Sequence, residues 1–215
     1  MADLQFDFEK HEYKVDGMVY PSVTQLLTAY GLQDFSHVPP DRLEYKRILG
    51  TAVHLACQYY DEKCLDEDSL APEIKPHLLA YKKFCEVTKF EPTHIELKMY
   101  SKKYRFAGTV DRQGLFYWKG KEVESIIDLK TTWEMYPSNS CQLWGYQILF
   151  EETFPDIKIK HRFGLQLNPN SNYEIVEYPD IADRNTFLAC VVLYHWKQKY
   201  GLKKEVEKEM GISTI

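Results

Sequence analysis

The sequence lacks the cysteine pattern of a disulfide-stapled or zinc-binding protein. Its five cysteines are odd in number, and none of them forms a C-x-x-C pair. Disulfide frameworks use even numbers of cysteines, and tetrahedral zinc sites use closely spaced pairs. The sequence therefore predicts reduced thiols and a cytoplasmic protein.

Long hydrophobic runs are also missing. No stretch approaches the roughly 18–20 apolar residues that a membrane-spanning helix needs. The first ten residues, MADLQFDFEK, show no basic segment followed by an apolar one, which is the pattern of a signal peptide. We therefore expect neither a membrane span nor a secretion signal.

The chain has no excess of positive charge. It contains 27 basic and 32 acidic residues, for a formal net charge of −5. A protein that coats nucleic acid is basic overall, so this class is disfavoured. An enzyme with a local basic groove is still allowed, particularly if bound cations balance the carboxylates of its site. The sequence contains no G-x-x-x-x-G-K-[ST] loop, so we expect no ATP-driven motor in this chain.

No internal repeat, low-complexity segment or linker divides the 215 residues. This length suits one domain with a sizeable core. We therefore predict a single domain over 1–215, in which an N-terminal hairpin at 5–20 and a C-terminal helix at 182–210 decorate the core.

Hydrophobic periodicity predicts a mixed α/β (α+β) fold. Ser22 and Gln25 form the signature of a capping box at the start of a short helix. Longer helices are predicted over 41–61, 71–88, 138–150 and 182–200, and strands over 94–100, 104–118, 123–130, 161–167 and 173–178. We expect a central mixed sheet of about five strands that carries the functional site at one edge, with the helices at 41–61 and 138–150 covering the face of that site.

Two carboxylates and a lysine lie at the ends of neighbouring predicted strands. Asp111 closes a G-x-x-D pattern that begins at Gly108, and Asp128 follows 17 residues later in a D-x-K pattern that ends at Lys130. Asp128 and Lys130 share a face because side chains two residues apart in a strand point the same way. Carboxylates bind hard divalent cations, and a nearby lysine can orient or deprotonate a water or neutralise a phosphorane. The pattern predicts metal-dependent cleavage of phosphodiesters.

The ordered series G-x-x-D, D-x-K and Q-x-x-x-Y (Gln142 to Tyr146) resembles the motifs of the PD-(D/E)XK nucleases. More narrowly, the chain resembles the RecB-like exonuclease group, which includes small stand-alone phage-type members. A glycine–histidine element of that group is matched by Gly50 and His54, and a glutamate entering its sheet is matched by Glu96. The segment Pro-Ser-Val-Thr at 21–24 is similar to the opening of the phage-type members. The resemblance covers roughly residues 20–150.

Two positions depart from the commonest form of these motifs. Val110 stands where many relatives have proline, and Asp128 stands where many have glutamate. Both variants suit the RecB-like branch. The iron–sulfur members have three cysteines after the Q-x-x-x-Y helix, whereas only Cys190 follows it here, so no iron–sulfur cluster is expected.

The resemblance implies a restriction-endonuclease-like core and a set of metal ligands for one or two Mg²⁺ or Mn²⁺ ions. These ligands would be His54, Asp111, Asp128 and the backbone carbonyl of Leu129. Glu96 would be an auxiliary ligand or would hold a metal-bound water.

The resemblance also implies roles for residues that act beside the metal. Lys130 would be the catalytic lysine, working with Asp128, Asp111 and Glu96. Gln142 and Tyr146, one helical turn apart, would face the site and contact DNA or brace the lysine.

Substrate binding needs positive charge despite the acidic balance of the chain. One basic cluster, formed by Lys102, Lys103 and Arg105 together with Lys98, flanks the strand that leads to Asp111. A second cluster precedes Gly50 and consists of Arg42, Lys46 and Arg47. Either cluster could line a groove for phosphates or be a solvated surface. The aromatic residues Tyr104, Trp133 and Tyr136 could stack on unpaired bases, whereas Phe106 is expected in the core.

The implied function is a Mg²⁺- or Mn²⁺-dependent deoxyribonuclease, an exonuclease acting on DNA ends or single strands in recombination, repair or replication. A single-strand-binding protein or a recombinase would be a partner, and an oligomer is allowed. One alternative is a structure-specific endonuclease or nickase with the same site. Another is a catalytically retired nucleic-acid-binding or inhibitor protein on the nuclease fold.

Overall fold

The computed structural model describes residues 3–7 and 10–202. Its N-terminal part is a three-stranded antiparallel sheet in the order β1-β2-β3. The strands are β1 (Leu4–Asp7), β2 (Glu12–Val15) and β3 (Met18–Tyr20). Asp16 and Gly17 connect β2 to β3 with φ angles of 50° and 77°, as a two-residue turn of this handedness requires. The predicted turn is therefore confirmed, and β1 adds a third strand to the predicted hairpin.

The central sheet contains five strands in the order β4-β5-β6-β7-β8. They are β4 (Glu91–Ser101), β5 (Phe106–Trp118), β6 (Lys121–Lys130), β7 (His161–Leu167) and β8 (Tyr173–Glu177). Strands β6 and β7 run parallel, and the other neighbouring pairs of this sheet run antiparallel. A parallel pair needs a crossover, which here contains a helix.

Helices cover both faces of this sheet. They are α1 (Val23–Ala29), α2 (Pro40–Asp61), α3 (Lys75–Thr88), α4 (Ser138–Thr153) and α5 (Ala182–Lys199). Helices α1, α4 and α5 pack on the face that carries Val110 and Ile126. Helices α2 and α3 pack on the opposite face, which carries Ile127 and Leu129. The predicted fold class, a mixed α+β fold with a central mixed sheet flanked by helices, is confirmed.

The start of α1 follows its local sequence signal, whereas the start of α3 differs from the predicted one. The capping box at the start of α1 is present, since Ser22 Oγ accepts a hydrogen bond from the Gln25 amide and the Gln25 side chain accepts one from the Ser22 amide. Helix α3 begins at Lys75 instead of residue 71, with Pro76 in its first turn, where proline is tolerated.

The C-terminal part of the chain agrees with prediction as far as it is described. Helix α5 ends at Lys199, and the continuation of the predicted helix over 203–210 lies outside the described residues. Over 3–7 and 10–202, no helix has both the length and the hydropathy to cross a membrane. All five cysteines are free thiols.

Candidate active site

The candidate site lies where β5 and β6 separate. Their antiparallel pairing ends at Arg112 and Ile127. Beyond this pair the Asp111 carboxylate occupies the gap, and its Oδ2 accepts a hydrogen bond from the Leu129 amide at 2.7 Å. A side chain thus replaces a backbone bond between the strands, which fixes the carboxylate at the opening.

This position differs from the predicted one. The sheet order places β5 and β6 in its interior, so the prediction of a site at one edge was wrong. The two helices expected to cover one catalytic face, α2 and α4, lie on opposite faces of the sheet. Side chains from both faces can meet here because the strands part.

Glu96 reaches the site from β4 through an unusual backbone conformation. Its φ is +47°, a left-handed value that costs a non-glycine residue of order 1–3 kcal/mol. The pairs on either side of it, Ile95 with Arg112 and Leu97 with Val110, keep the regular β4–β5 register. The strain is therefore confined to the one residue whose carboxylate approaches Asp111.

His54, Glu96 and Asp111 form a cluster that could hold a metal ion. One ligand atom from each lies within 4.8 Å of the others. His54 Nδ1 is 3.9 Å from Glu96 Oε1 and 3.6 Å from Asp111 Oδ1. His54 Nε2 lies 3.1 Å from the Leu129 carbonyl oxygen. A carbonyl only accepts, so this bond places a proton on Nε2, and in the neutral ring the Nδ1 lone pair is left for a cation.

The Leu129 carbonyl itself contacts His54. A carbonyl oxygen has two lone pairs, so this bond does not prevent it from binding a cation as well. Its role as a metal ligand stays a prediction.

Asp128 is the second buried carboxylate of the site. It is 2% exposed, and its Oδ2 lies 2.7 Å from Lys130 Nζ. That ion pair lacks hydrogen-bond geometry, so Asp128 Oδ2 is a buried oxygen without a hydrogen bond. Burial raises the pKa of Asp128 to about 6, with Lys130 lowering it and Asp111 raising it. A cation beside this oxygen would give it a partner and would lower the pKa of Asp128. The donor set therefore fits a divalent metal.

Gln142, on α4, contacts both Asp128 and Lys130. Its Oε1 accepts a hydrogen bond from Lys130 Nζ at 3.1 Å, and its Nε2 donates to Asp128 Oδ1 at 3.2 Å and to Tyr146 Oη at 2.8 Å. Gln142 and Tyr146 are 3% and 6% exposed. Of their two predicted roles, bracing the lysine agrees with this geometry better than contacting DNA.

Gly108 allows a close approach of helices to β5. A Cβ at this position would lie 3.1 Å from Tyr146 and 3.2 Å from Leu149 and Val23. These neighbours belong to α1 and α4, so the elements that approach β5 at Gly108 are helices. The glycine lets the helix that carries Gln142 and Tyr146 settle onto the sheet.

Arg112 is a residue of the site that no sequence motif singled out. Its side chain is fully buried, with Nε 2.6 Å from Asp61 Oδ2 and Nη1 3.0 Å from Glu96 Oε1. Nη1 also donates to the Asp111 carbonyl at 2.6 Å. Burial opposes its charge, but Tyr81, Asp61 and Glu96 outweigh burial and raise the pKa of Arg112. Arg112 therefore fixes the side chain of Glu96 and the backbone of Asp111.

The predicted phosphate-binding cluster on the β4–β5 turn lies away from the candidate metal ligands. Arg105 precedes Asp111 by six residues, which is roughly 20 Å along a strand. Lys102 pairs with Asp16 at 3.6 Å, and Lys103 lies over the Tyr104 ring. Contact of Lys102, Lys103 and Arg105 with DNA stays a prediction.

The second basic cluster lies on the exposed N-terminal half of α2. Arg47 there is held by Glu44, with Nη2 2.7 Å from Glu44 Oε1. Lys46 borders a cavity next to the site, so this cluster lies nearer the site than the one at Arg105.

We expect Asp128→Asn to stabilise the metal-free protein at pH 8. The pKa of Asp128 is about 6 in the folded protein against about 4 in the unfolded chain. Ionisation therefore destabilises the fold, at a cost that is absent below about pH 4 and complete above pH 6. The uncharged amide avoids this cost, so unfolding in EDTA should show a gain of order 1–3 kcal/mol at pH 8 that vanishes near pH 4. The exposed Asp156→Asn change is the control, and an equal effect of both variants would contradict the expectation.

No protein-family model matches the sequence, and no curated protein matches it. A solved structure does share its fold. A crystal structure from Eubacterium rectale, described as a candidate exonuclease, is similar with a TM-score of 0.51 at 12% identity, over 91% of this chain and 83% of that chain. An alkaline exonuclease from Laribacter hongkongensis gives a TM-score of 0.43 at 14% identity, over 88% of this chain and 94% of that chain. At such identities the likeness of the first structure shows a common fold.

Proposed function

We propose that the protein is a Mg²⁺- or Mn²⁺-dependent deoxyribonuclease of the RecB-like exonuclease group. The observation that carries this proposal is the juxtaposition of His54, Glu96 and Asp111 with the buried Asp128–Lys130 pair where two strands part. Its motifs resemble that group, and its fold is shared with a candidate exonuclease. Such an enzyme would act in recombination, repair or replication, alongside a single-strand-binding protein or a recombinase.

The charges of the site explain why a divalent cation is needed. Glu96, Asp111 and Asp128 contribute three carboxylates, and Lys130 contributes one positive charge, while Arg112 is offset by Asp61. The site is therefore negative overall and repels a phosphodiester until a cation is bound. Carboxylate oxygens and a neutral imidazole are suitable ligands for Mg²⁺ or Mn²⁺.

Each residue then has a role that its contacts support. His54, Glu96, Asp111 and Asp128 would hold the cation, which when bound supplies Lewis-acid activation of phosphate and water. Lys130 orients the attacking water or neutralises charge that develops on the phosphate oxygens. Gln142 keeps the ammonium group of Lys130 beside Asp128.

The test of this proposal is metal dependence on defined DNA substrates. We expect EDTA to lower cleavage of end-labelled linear DNA by at least about 10³-fold, because the negative site cannot accept phosphate without a cation. Excess Mg²⁺ or Mn²⁺ should restore the rate. Cleavage that persists in EDTA would contradict the proposal, and metal-independent DNA binding without cleavage would favour a retired nuclease.

A closed circular single strand separates the two catalytic alternatives. An exonuclease needs an end and should leave the circle intact while degrading its linear form. Cutting of the circle would identify a structure-specific endonuclease or nickase with the same residues.

A further inference from the structure

A cavity of about 270 Å³ opens between the exposed half of α2 and the loop that follows Lys130. Residues that line it include Tyr45, Lys46, Leu49, Thr131, Trp133 and Pro169. A Cβ on Gly50 would lie 3.4 Å from Thr131 Oγ1, so helix and loop are in contact here. Lys130 directly precedes Thr131, and His54 lies one helical turn after Gly50. The cavity therefore borders the candidate active site.

Trp133 is 70% exposed although the loop that carries it is anchored on both sides. Before it, the Thr132 carbonyl accepts a hydrogen bond from Gln166 Nε2 at 2.5 Å. After it, Met135 lies against Gly164, where a Cβ would come within 1.9 Å of the methionine methyl group. The loop is thus fixed on β7, and it presents the indole to solvent. An exposed aromatic side chain on an anchored loop can stack on a base with little loss of conformational freedom.

The opposite wall of the cavity offers matching chemistry. Tyr45 is 54% exposed, and Lys46 adds a positive charge next to it. Aromatic faces stack on nucleobases, and a lysine pairs with backbone phosphate. Bases within a duplex are already stacked, so such walls suit a base that has left its partner.

The position of Trp133 relates the stacked base to the bond being cut. Trp133 lies three positions after Lys130, which limits the distance between their Cα atoms to about 11 Å. Stacked nucleotides rise about 3.4 Å each, so the base belongs to a nucleotide within a few steps of the reacting phosphate. The cavity is at the small end of ligand sites and suits one base rather than a base pair.

We propose that the cavity between Tyr45 and Trp133 binds one unpaired base of the strand that is cut. The preferred substrate is then a single-stranded or frayed DNA end rather than a fully paired one. This inference rests on the proposed nuclease function and names the substrate form of the same site.

The test uses linear oligonucleotides with one abasic site, moved stepwise through the first positions from each end. Base–aromatic stacking is worth about 1–3 kcal/mol, which corresponds to roughly 5–150-fold. With the wild-type protein, kcat/KM should fall about tenfold when the abasic site reaches one position. Trp133→Ala should cut the intact strand about tenfold more slowly and lose this dependence on position. Trp133→Phe should keep most of the wild-type cleavage rate and most of the dependence on position.

Controls separate this inference from the nuclease proposal. Trp196→Ala removes another tryptophan that is 53% exposed, on α5, and should behave like wild type. Suppose wild type cuts DNA, and Trp133→Ala either cuts the intact strand at the wild-type rate or still depends on the position of the abasic site. The proposed base-binding site is then wrong, whereas the nuclease proposal is unaffected. If wild type neither cuts nor binds any of these strands, the nuclease proposal fails and this inference fails with it.

Discussion

Replacing Lys130 with alanine is expected to lower DNA cleavage by about 10³-fold while the protein stays folded. Lys130 Nζ lies 2.7 Å from Asp128 Oδ2 and donates to Gln142, so its charge is held beside the candidate metal ligands. Its side chain is 21% exposed at the end of β6. Burial already raises the pKa of Asp128 to about 6, so without Lys130 this carboxylate can take up a proton and the protein stays folded. Initial rates on end-labelled linear DNA with Mg²⁺ measure the loss, and urea unfolding checks the fold.

A lysine at the other end of the same strand gives a matched control. Lys121 begins β6 and is exposed, so Lys121→Ala should cut DNA at the wild-type rate. Lys130→Arg should restore only part of the activity, because a planar guanidinium cannot take the place of a compact ammonium group. A Lys130→Ala protein that keeps more than about a tenth of the wild-type rate would show that the reaction does not use this amine.

Arg112→Met is expected to cause the largest loss of stability, about 3–5 kcal/mol in the free energy of unfolding at pH 7.5. The change leaves the carboxylates of Asp61 and Glu96 in place without the cation that both contact at present. Methionine fills much of the volume, so the loss comes mainly from uncompensated charge. Urea unfolding of wild type and variant measures it.

The dependence of this loss on pH identifies its cause. Burial already raises the pKa values of Asp61 and Glu96 in the wild-type protein, and removal of Arg112 raises them further. A carboxyl with a raised pKa in the folded state binds a proton there first, so the loss grows as pH rises and shrinks as pH falls toward 5.

A second buried arginine provides the control for this experiment. Arg162 is 4% exposed, lies over the Trp144 ring and donates to the neutral side chain of Gln147. Arg162→Met should therefore cost stability by an amount that changes little with pH. Equal pH profiles for the two variants would mean that lost packing, and not unpaired carboxylates, explains Arg112→Met.

Local sequence signals predicted much of the fold. The Asp16–Gly17 turn, the Ser22–Gln25 capping box and the periodicity of the strands each depend on residues a few positions apart, and each is present. The strand period also placed Asp128 on the face opposite Leu129, where it meets α4. Interactions between residues that are close in sequence are sufficient to predict features of this kind.

The remaining parts of the site depend on contacts that are distant in sequence. Arg112 bonds Asp61, Tyr81 and Glu96, which are 51, 31 and 16 residues away. The sequence around Arg112 does not indicate these partners. The sequence alone therefore could not show that this arginine is buried. The left-handed backbone of Glu96 and the parting of β5 from β6 likewise exist only once three strands have come together.

The hydrogen bond from the Leu129 amide to Asp111 has a consequence for choosing an inactive form of the protein. The Asp111 side chain pairs with a backbone amide as well as being a candidate ligand. Its removal leaves that buried amide without a hydrogen bond, so a loss of activity would not distinguish misfolding from lost chemistry. The Lys130 ammonium group instead contacts the side chains of Asp128 and Gln142. A variant designed to bind DNA without cutting it should therefore carry its substitution at Lys130.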